Sequence, residues 1–231
     1  NKLAQPKVGI AATSSGVGIA YTDVIQDHIT SSKISELPFD GAVKLGGDGT
    51  SSSLKISDHA DLELGSNSFT MEMWLYPMDT SGSNYGTVVS KGVSFQLYWK
   101  NVTQSLDLYV SNNGSDYNMI NNGTTYAGSV PIGEWIHVAL VRNGDVWSIY
   151  TNGQRSYGPV TAAGTIHNNG NDLAIGDYSG SYSTYELDGL VSDFRLVNGT
   201  AVYTDNFDPP TTRLTNITNT KVLCCQSTTS A

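Results

Sequence analysis

The sequence predicts an all-β fold built from short antiparallel strands. Bulky apolar residues alternate with other residues in many short runs, which is the period of a β-strand. Residues 208–210, Asp-Pro-Pro, end any strand ladder because proline has no amide donor. Tight hairpin turns favour Asn-Gly because it supplies positive φ angles. Such pairs start at six positions: Asn113, Asn122, Asn143, Asn152, Asn169 and Asn198.

The strand candidates follow one another from residue 42 to residue 225. The first are AVKL and SLKIS, and the next, SFTMEMWLY, carries bulky side chains on both faces, as a central strand of a sandwich does. Asn143-Gly144 and Asn152-Gly153 predict hairpin turns on either side of VWSIYT. The candidates after SFTMEMWLY are TVVS, VSFQLYW, SLDLYV, EWIHVALVR, VWSIYT, LAIG, LDGLVSDFRLV and TKVLCC. No helix of more than a turn or two is predicted.

The chain divides into two unequal parts, residues 1–36 and residues 37–231. The first part is irregular and rich in small residues, and we interpret it as an N-terminal arm or strap. Three interpretations of this arm stay open: part of an attachment surface, the end of an upstream domain, or an extended tail across the sandwich. The second part has a length that β-sandwiches commonly reach as one domain.

Charge and composition exclude two classes of partner. The formal net charge is −9, from 12 Lys and Arg against 21 Asp and Glu, which disfavours nucleic acid and anionic membrane surfaces. No apolar run approaches the ~20 residues that cross a bilayer, so no membrane insertion is predicted. Only 14% of the residues are charged. A polar surface of Ser, Thr, Asn, Gly and Tyr is typical of secreted, virion-surface and cell-surface β-proteins.

The two cysteines are adjacent, at Cys224 and Cys225. A secreted disulfide framework has several spaced cysteines. Because side chains alternate across a strand, we expect free thiols, one facing the core and one facing outward. The alternative is a strained vicinal disulfide.

Three segments resemble a known family. LDGLVSDFRLVNGTAVYTDNFDPPTTRLTNITNTKVLCC, FTMEMWLYP and EWIHVALVRNGDVWSIYTNGQ are similar to laminin-G-like domains of the concanavalin A-like superfamily, and the resemblance spans roughly residues 37–225. It implies two antiparallel sheets in a jelly-roll sandwich, with TKVLCC returning to pair near AVKL. The C-terminal segment also resembles laminin-G-like modules in structural proteins of marine bacteriophages.

The same resemblance argues against an enzyme. Hydrolases of this superfamily carry two or three acids at alternate positions of one strand, whereas this chain has Glu72 followed by Trp74 and Tyr76 at those positions. We therefore expect Glu72 to be a structural sheet residue. Asp193 and Arg195 lie two apart, so they are expected on one side of their strand, where an ion pair between them would be structural.

The resemblance also raises the question of calcium, which many relatives hold through carboxylates and backbone oxygens in loops. No cofactor is certain, and at most one calcium ion is considered. The alternative, that the loop aspartates hydrogen-bond turn amides, is favoured. Zinc is not expected, since His and Cys do not cluster. The candidate calcium ligands are Asp48, Asp58, Asp61 and Asp177.

Three loops have the composition of a binding surface. Residues 79–87, 111–128 and 176–186 are built from Tyr, Ser, Gly and Asn, the mixture that antibodies use for rigid ring contacts and adaptable hydrogen bonds. Sugars are bound by similar groups, with rings against C–H faces and polar groups on hydroxyls. The alternative is that these tyrosines only cover sheet edges. The candidate ligand-binding residues are Tyr85, Tyr117, Tyr178, Tyr182 and Tyr185.

These observations predict a non-enzymatic virion-surface module, as a decoration, fibre or appendage, that attaches weakly to host glycans. Its expected partners are glycans and other virion or surface proteins, because many weak copies bind through avidity. Two alternatives stay open: an architectural assembly protein anchored by residues 1–36, and an adhesion module of a secreted or cell-surface protein.

Overall fold

The computed structural model describes residues 40–46, 52–78, 85–121, 127–179 and 185–227. The predicted N-terminal arm lies outside these residues.

The described chain contains one short 3-10 helix, Ala60–Leu62, and no helix in it is long and apolar enough to cross a bilayer. It contains twelve strands: β1 Val43–Gly46, β2 Leu54–Ile56, β3 Phe69–Pro77, β4 Tyr85–Lys91, β5 Phe95–Lys100, β6 Ser105–Val110, β7 Ile136–Asn143, β8 Val146–Thr151, β9 Gln154–Thr161, β10 Leu173–Ile175, β11 Asp188–Asn198 and β12 Thr220–Cys224.

The strands form two antiparallel sheets that face each other. One sheet has seven strands in the order β1-β11-β3-β7-β8-β9, with β12 also paired to β11, and the other has five in the order β2-β10-β4-β5-β6. Apolar side chains from the inner faces of both sheets form the core; they include Met71, Leu97 and Trp147. This architecture confirms the predicted all-β, two-sheet sandwich, consistent with a jelly roll.

Every strand predicted from residue 42 onward is present, and one further strand, β9, was not predicted. Its sequence QRSYGPVT lacks an alternating apolar pattern and contains Pro159, a residue that sheets confine to edges and bulges. In the structure β9 pairs only with β8, at the edge of the larger sheet. The edge position explains why hydrophobic periodicity did not reveal it.

The first and last strands share one edge of β11 but do not pair with each other. β1 pairs with Asp188–Val191, and β12 pairs with residues 194–197 further along β11. The final strand therefore returns to the edge that holds the first strand, as the resemblance implied. Each of the two strands pairs with β11, at neighbouring stretches of that strand.

Both predicted hairpin turns are present, but only one of them is centred on its Asn-Gly pair. Asn152 and Gly153 both have positive φ, 48° and 72°, and connect β8 to β9 as predicted. Asn143 instead pairs with Val146 as the last residue of β7, so the turn consists of Gly144 and Asp145. The turn between β7 and β8 thus lies one residue later than the Asn-Gly pair suggested.

A β-bulge in β11 corrects the expectation for Asp193 and Arg195. Ser192 pairs with Trp74 and Arg195 pairs with Glu72, so two residues of β11 lie opposite one residue of β3. The extra residue, with Asp193 at φ 54°, shifts the alternation and turns Arg195 toward Glu72. Asp193 instead accepts hydrogen bonds from the Gln226 side chain and the Leu214 amide. The expected ion pair between Asp193 and Arg195 is wrong for this reason.

The adjacent cysteines are free thiols, as expected, but the expected outward orientation of one of them is wrong because both pack against the core. Cys225 is buried in the core with φ 64°, and Cys224 is partly buried against the same core. Their sulfur atoms lie 3.5 Å apart. The hydrogen bond to Cys224, together with burial, raises the pKa of Cys225, so this thiol stays protonated at neutral pH.

Candidate functional site

A cavity of about 300 Å³ lies on the outer face of the five-stranded sheet. We call it the tyrosine cavity. Six tyrosines and one glutamine line it: Tyr85, Gln96, Tyr98, Tyr109, Tyr117, Tyr178 and Tyr185.

Strand alternation places the floor of the tyrosine cavity. In β5, Phe95, Leu97 and Trp99 point into the core, so Gln96 and Tyr98 point outward. Tyr109 of β6 lies directly opposite Gln96 and shares its face. The alternation that builds the core therefore also presents a polar and aromatic floor.

Loops and a strand end supply the walls. Tyr85 begins β4, and Tyr117 lies in the loop after β6. Tyr178 and Tyr185 belong to the connection between β10 and β11. The loop residue Tyr117 is hydrogen-bonded to Tyr178 and to Gln96, which ties the walls to the floor.

The rings of the tyrosine cavity meet edge to face. Tyr98 contacts Tyr85, Tyr109 and Tyr185 with interplanar angles of 67° to 87°, and Tyr109 contacts Tyr117 at 74°. Such T-shaped pairs are the favoured arrangement of aromatic rings. Because the rings face different directions, they wall a recess instead of forming a flat platform.

Two tyrosines of the cavity, Tyr98 and Tyr117, have raised pKa values. Burial and the neighbouring tyrosines raise the pKa of Tyr98, and burial and Tyr178 raise the pKa of Tyr117. A phenol with a raised pKa keeps its proton throughout the physiological range. The hydroxyl groups are therefore available both to donate and to accept hydrogen bonds.

One ion pair borders the cavity. Lys100 Nζ lies 2.7 Å from Asp107 Oδ2 and 5.3 Å from the centre of the Tyr85 ring. Burial acts to lower the pKa of Lys100, but Asp107 outweighs it and raises the pKa, so the ammonium group stays charged. The two charges neutralise each other beside the cavity.

Four of the five tyrosines predicted from the loops line this cavity: Tyr85, Tyr117, Tyr178 and Tyr185. The fifth, Tyr182, lies outside the described residues. The loop analysis missed Gln96, Tyr98 and Tyr109, which belong to strands. The outward positions of FQLYWK and SLDLYV were the available signal, since polar and tyrosine residues alternate there with core residues.

The aspartates proposed as calcium ligands do not come together. Within the described ranges, no group of three or more His, Cys, Asp or Glu side chains could hold a metal ion, and Asp48 lies outside those ranges. The other three each have a lysine partner instead, which supplies the positive charge that a cation would bring. The pairs are Asp58 with Lys91 at 2.5 Å, Asp61 with Lys221 at 2.6 Å and Asp177 with Lys55 at 3.1 Å.

Glu72 lies on the opposite side of the molecule, on the outer face of the seven-stranded sheet. It is fully buried there and accepts hydrogen bonds from Arg195, at 2.5 and 2.9 Å, and from Tyr203, at 2.7 Å. His137 Nε2 lies 3.3 Å from Oε2 of the Glu72 carboxylate. Burial acts to raise the pKa of Glu72, but these partners outweigh it and hold the pKa below its ordinary value.

The chain itself covers this cluster. Tyr203 and Phe207 stack with ring centres 3.6 Å apart and pack over the sheet with Ala201, and Arg195 also donates to the Thr215 carbonyl. We call this region, with Glu72, His137, Arg195 and Tyr203, the covered face. Glu72 is thus a structural residue, as predicted, and His137 is packed in the sheet.

Fold and site together define a class: a two-sheet antiparallel sandwich with a ring-lined cavity on one outer face. The chain belongs to the concanavalin A-like lectin/glucanases superfamily, whose laminin G family model matches residues 48–203. This match confirms the family resemblance seen in the sequence. Comparison with curated protein sequences gives no match.

Solved structures share the fold at low sequence identity. A putative carbohydrate binding protein from Bacteroides ovatus is 15% identical with a TM-score of 0.60, over 80% of this chain and 52% of that chain. NanB, solved with Optactamide, is 15% identical with a TM-score of 0.52, over 73% of this chain and 27% of that one. A Trypanosoma rangeli sialidase is 13% identical with a TM-score of 0.50, over 69% and 26%. The chain therefore spans about half or less of the length of these proteins.

Proposed function

We propose that this chain is a non-catalytic carbohydrate-binding module that holds sugar in the tyrosine cavity. The observation that carries the proposal is the convergence of six tyrosines and Gln96 in one recess. Ring faces pack against the C–H groups of a sugar, while phenol and amide groups hydrogen-bond its hydroxyls. Cavities of this kind, mostly aromatic with a few polar groups, are typical of small-ligand sites.

Binding without hydrolysis fits the placement of the acids. Glycosidases need two carboxyl groups about 5–10 Å apart across the sugar. None of the seven residues that line the tyrosine cavity is an acid. Glu72, the acid in the middle of β3, is buried on the covered face.

The setting we propose is a virion surface, with other virion or surface proteins and host glycans as partners. The similarity of the C-terminal segment to modules in bacteriophage structural proteins supports this setting, and the B. ovatus protein of the same fold is described as carbohydrate binding. Weak binding by each copy is sufficient in this setting. Display in many copies then supplies the strength by avidity. An extracellular or cell-surface setting is the alternative.

A glycan array tests the proposal. The protein is displayed multivalently on beads, beside the variants Tyr117→Ala and Tyr157→Ala. Both residues are partly buried, but Tyr157 lies on β9 of the other sheet. We expect Tyr117→Ala to weaken binding about tenfold or more, as loss of a central aromatic contact does, and Tyr157→Ala to leave it unchanged. Absence of binding to every glycan, or equal loss in both variants, would overturn the proposal.

A further inference from the structure

Among the residues that the structure describes, those that line the cavity offer no unpaired charge to a ligand. Its seven lining residues are six tyrosines and a glutamine, which carry no formal charge. The raised pKa values of Tyr98 and Tyr117 keep these two phenols protonated at physiological pH. A carboxylated or sulfated sugar entering this recess would lose hydration without meeting an opposite charge. Burying an unpaired charge in this way is costly.

Two lysines of the five-stranded sheet, Lys100 and Lys55, are already engaged in ion pairs. Lys100 is only 12% exposed at its side chain and is bound to Asp107, which is 1% exposed. Lys55, in the same sheet, is bound to Asp177 next to Tyr178. While Lys100 stays paired, the Asp107 carboxylate offsets its charge, and its release to an anionic sugar would leave a buried carboxylate without its partner, which is strongly unfavourable.

The segments next to the cavity residues cannot supply a cation either. Residues 79–84 precede Tyr85, residues 122–126 follow the loop of Tyr117, and residues 180–184 lie between Tyr178 and Tyr185. They read DTSGSN, NGTTY and GSYST, without Lys, Arg or His, and the only charged residue among them is Asp79. Whatever course these segments take, they add no positive charge. The net charge of −9 also repels anions at a distance.

We propose that the tyrosine cavity selects neutral sugars and discriminates against sugars that carry carboxylate or sulfate groups. The inference rests on the proposed function, since it names the ligand class of the same site. Neutral pyranoses and furanoses present hydroxyls and C–H faces, which match phenol, amide and ring surfaces. Selectivity arises because the anionic sugar pays a desolvation penalty that the neutral sugar does not.

Matched pairs of immobilised glycans test this inference with the wild-type chain displayed multivalently. One pair is N-acetyllactosamine with and without a terminal sialic acid, and another is xylan with and without glucuronate branches. We expect the neutral member of a bound pair to give at least about tenfold stronger binding, equivalent to ~1.4 kcal/mol. Equal binding, or stronger binding of the acidic member, would overturn the inference and leave the proposed function standing. No binding to any member of the array would overturn the proposed function itself.

The variant Asp107→Asn sharpens the test because it removes the charge that engages Lys100 while keeping the size of the side chain. We expect the ratio of acidic to neutral binding to rise about threefold or more, and the gain to disappear at high salt because the new attraction is electrostatic. A thermal melt checks that the variant is folded. An unchanged ratio in a folded variant would contradict the role assigned to the Lys100–Asp107 pair, and the wild-type comparison stands independently of the variant.

Discussion

The outer face of the seven-stranded sheet is covered by the chain's own residues, whereas the outer face of the five-stranded sheet carries the tyrosine cavity. On the covered face, Glu72 and Arg195 are buried and hydrogen-bonded, under Tyr203 and Phe207. In the tyrosine cavity, the lining side chains are neutral and several of them are half-buried, such as Tyr117. The two faces thus differ in charge as well as in coverage.

The difference follows from what each face must do. A buried charge needs a fixed partner, and the covering segment can remain in place over Glu72 because it belongs to the same chain. An exchangeable ligand comes and goes, so a charge in its cavity would be left unpaired whenever the ligand departs. Neutral tyrosines avoid this cost, since water satisfies their hydroxyls when the cavity is empty.

The largest effect is expected from Glu72→Gln on the covered face. The variant keeps the size of the side chain but leaves Arg195 buried without its counter-charge, which typically costs about 3–5 kcal/mol. Urea denaturation measures the loss of unfolding free energy. The exposed carboxylate variant Glu63→Gln is the control and should stay within about 0.5 kcal/mol of wild type. A Glu72→Gln protein as stable as this control would refute the structural role of the cluster.

The same carboxylate predicts an acid-sensitive stability. Because the pKa of Glu72 is lower in the folded protein than in the unfolded chain, its contribution is fully present above the unfolded pKa of about 4.5. The contribution is lost as the pH falls through the lower, folded pKa. Denaturation series at several pH values should therefore show wild-type stability falling more steeply than that of Glu72→Gln below this point. Parallel curves would contradict the lowered pKa.

Two hydroxyl deletions compare the faces directly. Tyr203→Phe removes a hydrogen bond to the Glu72 carboxylate and should cost about 1.5–3 kcal/mol of stability, with glycan binding unchanged. Tyr117→Phe removes neutral hydrogen bonds and should cost about 0.5–1.5 kcal/mol, while weakening glycan binding. Melts and array binding are measured on both variants. If Tyr203→Phe weakened binding as much as Tyr117→Phe, the two faces would not be functionally separate.

The smallest effect is expected from chelation. Asp58, Asp61 and Asp177 are each paired with a lysine, so removal of calcium should change neither the melting temperature nor glycan binding. The measurement is a melt and an array with calcium and with EDTA. A large drop in either one would show a calcium site, and would restore the loop aspartates as candidate ligands.

The local sequence was sufficient to predict a structural element wherever local backbone geometry determines that element. The alternation in FQLYWK and FTMEMWLYP predicted the strands that became β5 and β3, because successive side chains of a strand point to opposite faces. Asn152-Gly153 predicted its hairpin, because its φ angles are a property of those two residues. Loop composition likewise identified four of the seven cavity residues.

Tertiary structure decided what depends on residues far apart in the chain. The bulge in β11 determines which face of the sheet Arg195 occupies, and no pattern within LDGLVSDFRLV predicts the extra residue. The lysine partners of Asp58, Asp61 and Asp177 lie 33 to 160 residues away in the chain, so the sequence did not reveal these ion pairs. Sequence by itself determined eleven of the twelve described strands, the sandwich and the tyrosine-rich composition of the loops. Only the folded sheets decided that those tyrosines meet in one cavity and that Glu72 is sealed on the other side, because pairing between distant strands sets both.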